Sequence, residues 1–275
     1  MLPTIAWIRV RLLHLDRRMR SPFCLLALLI LAGCSTAGAS VPMSTSPTPA
    51  STSSRSPSST TSPPACPNDQ GGSCLGPLQA GTYHTVVFHP QITYTVPAGW
   101  GNYEDTPGNF LLVPPEGSLA GVNAGTSDYL GVYLGVAAEK QDCSGEVSAP
   151  GVGTAPEQIA AYWARLPTLK VTAPRAVTVG GLSGVVVDVV ANVARQAICP
   201  DPSSSWGYQP LMVGVGPASL EHGLIKPLSL RIYLLTWSAQ GRNTTSTIAI
   251  EIDDLHGGSH LNAYSQVSST FKFGG

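Results

Sequence analysis

The chain has 275 residues with 15 basic and 16 acidic side chains, a formal net charge of −1. The balance is uneven, because from residue 66 onward there are nine basic and fifteen acidic residues, net −6. An acidic stretch of about 210 residues is long enough to bury a core of its own, and its charge excludes a nucleic-acid partner or an electrostatic hold on anionic lipid.

Near the start, Arg17, Arg18 and Arg20 precede an apolar run from Phe23 to Ala32, followed by Gly33 and Cys34. Ten apolar residues are too few for a spanning helix, which needs about 20. A basic start, a short apolar middle and small residues at the end read as a secretory signal over residues 1–33. Met19 offers a second, more compact start than Met1. The segment Leu31-Ala32-Gly33-Cys34 resembles the lipobox of bacterial lipoproteins. That resemblance implies a diacylglycerol on the Cys34 thiol and cleavage before it. The expected address is the extracytoplasmic face of the cell membrane, with the bilayer as a partner through the lipid. An uncleaved signal anchor with a bare cysteine is the alternative.

Residues 34–65 follow as a lipid-bearing cysteine and a spacer. Of the 31 residues after Cys34, 23 are Ser, Thr or Pro, and only Arg55 is charged. Such a segment buries too little apolar surface to offset its ordering entropy, so it is expected to be an extended tether. A glycosylated stalk has the same composition.

Residues 66–275 form the expected extracytoplasmic domain. It keeps four cysteines, Cys66, Cys74, Cys143 and Cys199, an even set suited to an oxidising compartment. Three pairings are open; Cys66–Cys74 and Cys143–Cys199 are the predicted pair of bonds. A cysteine zinc site is the rival, but no Cys-x-x-Cys spacing occurs.

Several stretches alternate with period two, as half-buried strands do. They are Thr82 to His89, Ile92 to Val96, Phe110 to Val113, Leu130 to Val136, Gly184 to Val190, Leu228 to Leu234 and Ser246 to Ile252. Pro97-Ala98-Gly99-Trp100 breaks the second, with Trp100 as an edge plug or a ligand-stacking ring. Thr154-Ala155-Pro156-Glu157 has the form of a capping box, and Ile159, Tyr162, Trp163 and Leu166 make one apolar stripe behind it, up to Pro167. A second helix is expected from Ser259, with Leu261, Tyr264 and Val267 inward, before a short strand Phe271-Lys272-Phe273. This pattern predicts an α+β class, an antiparallel sheet flanked by helices.

The run Ile92 to Trp100, the capped helix, Val177-Thr178-Val179-Gly180-Gly181-Leu182-Ser183-Gly184 and the closing Tyr264 to Phe273 segment resemble actinobacterial lipoproteins of the PsbP-like or LpqN-like kind. The resemblance implies an α/β/α sandwich used for binding or assembly, with no catalytic position to carry over. It does not account for the cysteines.

Motifs for chemistry are sparse. Gly181-Leu182-Ser183-Gly184 lacks the spacing of a nucleophile elbow and reads as a hairpin turn; Gly151-Val152-Gly153 lacks the rest of a phosphate loop. His84 and His89 fall on opposite faces of a predicted strand. Glu251 to His260 gathers carboxylates and imidazoles, but Gly257-Gly258 separates His256 from His260 and breaks the helical i, i+4 relation. A solvated strand-to-helix turn is expected there, with no metal and no cofactor. Trp206 and Tyr208, in a polar loop after Cys199, either cover the core or stack on a sugar ring or partner. The resulting expectation is a non-enzymatic binding or scaffolding module for an envelope protein or wall component. An envelope hydrolase or transferase, or a carrier of a small apolar ligand, is the alternative.

Overall fold

The computed structural model describes residues 75–122, 124–145, 147–201, 204–218, 220–239 and 245–274. The signal, Cys34, the spacer, Cys66 and Cys74 lie outside the described residues.

The centre is a nine-stranded antiparallel sheet. Its path runs Gly76–Pro77, Gly101–Asp105, Asn109–Val113, Tyr129–Leu134, Thr245–Asp254, Ser229–Ser238, Leu182–Ala191, Leu169–Val171, with Arg175–Val179 also paired to Leu182–Ala191. Strict alternation gives each long strand two different faces. On one face Leu230, Ile232, Leu234, Val187 and Ala249 meet helix α1 (Pro156–Trp163) and a four-stranded sheet built on Ser204–Gly214. On the other, Leu130, Val132, Ile248, Ile250 and Ile252 meet helix α2 (Leu261–Ser268) and a three-stranded sheet of Gly81–His84, Ile92–Val96 and Lys272–Phe273. The fold is α+β, with a helix on each side of an antiparallel sheet, as expected.

The expected half-burial of the central strands does not hold. All six residues of Tyr129–Leu134 are buried, because a small sheet reinforces the helix on each side. The polar face of these strands is therefore internal as well.

Helix α1 places Ile159, Ala160 and Trp163 in the core, and the Trp163 indole N–H donates to the Leu211 carbonyl at 2.9 Å. Its start differs from the expected box. Pro156 occupies the first helical position, where its fixed φ suits the turn, so Ala155 and not Thr154 precedes it. Gln158 takes the part expected of Glu157 and accepts the Ala155 N–H. Helix α2 begins at Leu261, with Leu261, Tyr264 and Val267 buried as expected.

The predicted strand from Thr82 to His89 stops at His84. The Asp105 carboxylate draws the next backbone aside, accepting the N–H groups of Val86 at 2.8 Å and Phe88 at 2.7 Å, with Val87 at 3.3 Å. His84 and His89 are both exposed. The predicted hairpin turn falls two residues earlier, at Gly180 and Gly181, whose φ of +57° and +89° suit the turn between Arg175–Val179 and Leu182–Ala191.

Asp188, which interrupts a valine-rich run, has a structural reason. Arg231 opposite it donates from Nε to Oδ1 at 2.7 Å and from Nη2 to Oδ2 at 2.9 Å, a two-pronged bond. The third nitrogen of the same guanidinium reaches helix α2, donating to Asn262 Oδ1 at 2.8 Å and Ser265 Oγ at 3.2 Å.

Candidate functional site

Two clusters of titratable groups sit back to back at one end of the Tyr129–Leu134 and Thr245–Asp254 strands. Tyr129 pairs with Asp253 across the ladder, so Asp128 and Asp254 come side by side one step further on. Antiparallel partners point to the same face, and successive residues to opposite faces. Asp128 and Asp254 therefore face the helix α2 side, while Tyr129 and Asp253 face the other.

On the helix α2 side lie Asp128, Asp254, His256 and His260. The Asp254 carboxylate organises the turn after its strand. Oδ1 accepts the His256 backbone N–H and Oδ2 the His260 backbone N–H, both at 2.7 Å. Gly257 and Gly258, with φ of +72° and +88°, let the chain turn back so that both imidazoles face the carboxylates. His256 Nδ1 is 3.1 Å from Asp128 Oδ2 and 3.5 Å from Asp254 Oδ1. His260 Nδ1 is 3.6 Å from the same two oxygens. The two rings stand edge to face at 4.9 Å. Both carboxylates are buried, whereas His256 is exposed and His260 half-buried.

A second layer fixes the first. Asp128 accepts the Leu255 N–H at Oδ1, 2.9 Å, and the Tyr264 hydroxyl at Oδ2, 3.0 Å. Burial, then the adjacent Asp128 charge, pushes the Tyr264 phenol up, so it stays a donor. Tyr264 is itself packed edge-on by Trp100 at 5.8 Å. The turn is the expected one, but its glycine pair, which breaks the helical i, i+4 relation, brings the two imidazoles together by another route. Asp128 was missed entirely, since it lies 126 residues before Asp254 in the chain and only strand pairing unites them.

On the opposite face lie His222, Glu251 and Asp253, all buried, from Glu221–Leu224 and Thr245–Asp254. His222 Nε2 is 2.7 Å from Glu251 Oε1, and His222 Nδ1 is 3.2 Å from the Tyr129 hydroxyl. Neither Glu251 oxygen, neither Asp253 oxygen, nor His222 Nε2 has an aligned hydrogen bond. Burial raises Glu251 to about 8 and lowers His222; burial, then the charge of Glu251, raises Asp253 well above the usual carboxylate range. All three shifts favour neutral forms, so the close His222–Glu251 contact is an acid beside a neutral imidazole and not an ion pair. This trio is internal polar packing, closed to solvent.

The aromatic candidates sit elsewhere. Trp206 is buried and its indole N–H donates to the Arg195 carbonyl at 2.7 Å, so it covers the core. Tyr208 is half-buried with its ring over Gly223, where a Cβ would strike it. Trp100 is buried against Tyr264. The structure does not bring the three together with the histidine cluster as one site, though Trp100 supports its Tyr264. The Cys143–Cys199 disulfide is present, with Cα atoms 5.6 Å apart, and ties the loop after Val136–Ala138 to the start of Cys199–Asp201.

No family model matches the sequence, and no curated protein matches it. Among solved structures, the chain is similar to LpqN of Mycobacterium tuberculosis, described as involved in cell envelope biogenesis, with 10% identity and a TM-score of 0.34 over 72% of this chain and 90% of that one. It is also similar to the cyanobacterial PsbP (CyanoP) of Synechocystis sp. PCC 6803, with 11% identity and a TM-score of 0.34 over 74% of this chain and 98% of that one. These are the LpqN-like and PsbP-like kinds that the sequence resembles. Among the described residues no helix is long and apolar enough to cross a membrane.

Proposed function

We propose that this chain is an exported module, tethered by lipid at Cys34, that binds a protein partner or wall component at the cell envelope without catalysing a reaction. The observation that carries the reading is the surface around the Cys143–Cys199 bond. Among the described residues the large exposed apolar side chains include Val147 at 45%, Val193 at 60% and Ile198 at 47%, all on the two loops that this bond joins. Disulfides persist in oxidising compartments, which supports export. A rigid loop pair with apolar tips loses little entropy on docking.

Two measurements on the full chain in its host test this reading. Fatty-acid labelling should mark the protein and be lost in Cys34→Ala, which should leave the membrane fraction. A photo-reactive side chain at Ile198 or Val193 should give a discrete crosslinked species in intact cells, while one at exposed Lys170 should not. A soluble, unlabelled wild-type chain would remove the tether. Equal crosslinking at all three positions would remove the binding face.

A further inference from the structure

We propose that Asp128, Asp254, His256 and His260 bind one divalent cation of the zinc class in a four-coordinate site. The inference is independent of the envelope reading above and gives the domain a ligand of its own.

The geometry is the first support. Four donor atoms, His256 Nδ1, His260 Nδ1, Asp128 Oδ2 and Asp254 Oδ1, lie within 4.8 Å of one another. The four nitrogen-to-oxygen separations are 3.1, 3.5, 3.6 and 3.6 Å. Zinc bonds to imidazole nitrogen and carboxylate oxygen of about 2.0–2.1 Å imply tetrahedral edges of about 3.3–3.4 Å. The four nitrogen-to-oxygen separations bracket that edge, and the remaining two, between the nitrogens and between the oxygens, are no longer than 4.8 Å. A calcium site would need six or more oxygen donors at longer range, and imidazole is a poor ligand for it.

Charge is the second support. Asp128 and Asp254 are buried, and their recorded ion pairs are with these two histidines alone. Among the described ion pairs, Arg231 is taken by Asp188 and Lys140 by Asp142. Two carboxylates and two neutral imidazoles around a divalent ion sum to zero, so the occupied site buries no net charge. His260 Nδ1 is the third support: the atom is buried, has no aligned hydrogen-bond partner, and points at both carboxylates. A ligand bond satisfies it.

The surroundings are those of a prepared site. Each aspartate is oriented by groups other than the four ligand atoms: Leu255 N–H and the Tyr264 hydroxyl on Asp128, and the backbone N–H groups of His256 and His260 on Asp254. Such outer contacts fix ligand direction before the ion arrives. Entry is open through His256, whose side chain is 53% exposed.

The test uses the full chain purified in detergent and titrated with Zn2+ against a chromophoric chelator. One ion per chain is expected to bind saturably, and the unfolding temperature should rise with Zn2+ concentration. Co2+ should give the intense visible absorption of a four-coordinate centre. His256→Gln, at an exposed position that leaves the fold intact, should weaken Zn2+ binding at least about tenfold. His256→Gln with His260→Gln should abolish it, and His84→Ala with His89→Ala should leave it unchanged. Absence of saturable binding, undiminished binding in the 256/260 double variant, loss of binding in the 84/89 variant, or a weak six-coordinate cobalt spectrum would each overturn the site.

Discussion

The two faces of one strand pair, at the same end, carry the same kinds of side chain and use them in opposite ways. On the helix α2 face, Asp128 and Asp254 are met by backbone N–H groups, a phenol and two imidazoles within reach of water. On the other face, one residue away, Glu251, Asp253 and His222 are enclosed with unaligned polar atoms. The difference teaches that burial and donor supply, not residue identity, decide what a carboxylate becomes. Where fixed donors aim at it, it organises a loop. Where they are missing, it takes up a proton and behaves as a neutral group.

The largest expected effect comes from removing the organiser of the open cluster. Asp254→Ala strips two charge-assisted bonds from the His256 and His260 backbone. It should cost about 3 kcal/mol in urea unfolding, with loss of the loop that carries both imidazoles. An unchanged unfolding midpoint would mean that the turn is held by something else.

The closed cluster should respond with the reverse sign. Replacing Tyr129, His222, Glu251 and Asp253 together by Phe, Leu, Leu and Val removes the buried polar atoms and keeps roughly similar volumes. It should stabilise the domain by about 1–3 kcal/mol at pH 8, since enclosed polar groups often contribute less than apolar replacements. A destabilised quadruple variant would show that the enclosed polar groups are well satisfied.

Acidity separates the clusters on a smaller scale. Glu251 titrates near 8 when folded, against 4.5 as an ordinary glutamate, so between these values the unfolded chain has lost a proton that the native one keeps. Stability from this group is therefore full at low pH and falls as pH rises toward about 8, by at most about 1.4 kcal/mol per pH unit. His222 works against it below its ordinary 6.5, because there the unfolded imidazole gains a proton that burial refuses to the native one. The net fall should be steepest from pH 6.5 to 8, Asp253 adding to it with the same sign, and Glu251→Gln should make it shallower. Chemical denaturation at a series of pH values reads the slope directly; an identical slope in the variant would reassign the titration.

The smallest effect is expected at the outermost residue. His256→Ala without added metal should change stability by no more than about 0.5 kcal/mol, because a half-exposed imidazole contact is weak. A larger loss would move His256 from the open cluster to the scaffold.

Much of the architecture was visible in the chain. The alternation from Leu130 to Val136, Leu228 to Leu234 and Ser246 to Ile252 marked the three central strands, and the Ile159-Trp163 stripe marked helix α1, because these patterns arise from local geometry. What was not visible depends on distant residues. The end of the Gly81–His84 strand is decided by Asp105, and nothing in Thr85 to His89 foretells that carboxylate. The open cluster depends on Asp128 joining a turn 126 positions later through strand register. One signal was present: a charged residue placed directly before an apolar alternating strand needs a partner, and that partner lies on whichever strand pairs with it. Trp206 could be placed as core cover or surface ring only once its indole partner, Arg195, was located.

Arg231 has a mechanical consequence for helix α2. Its guanidinium grips Asp188 with two nitrogens and reaches the side chains of Asn262 and Ser265 with the third, so one planar fork rivets the first two turns of the helix to the sheet beneath. A lysine there would preserve the positive charge yet span fewer neighbours at once. The helical segment would then rock more freely on its bed, and its amide protons would trade with deuterium sooner than those of the strands below.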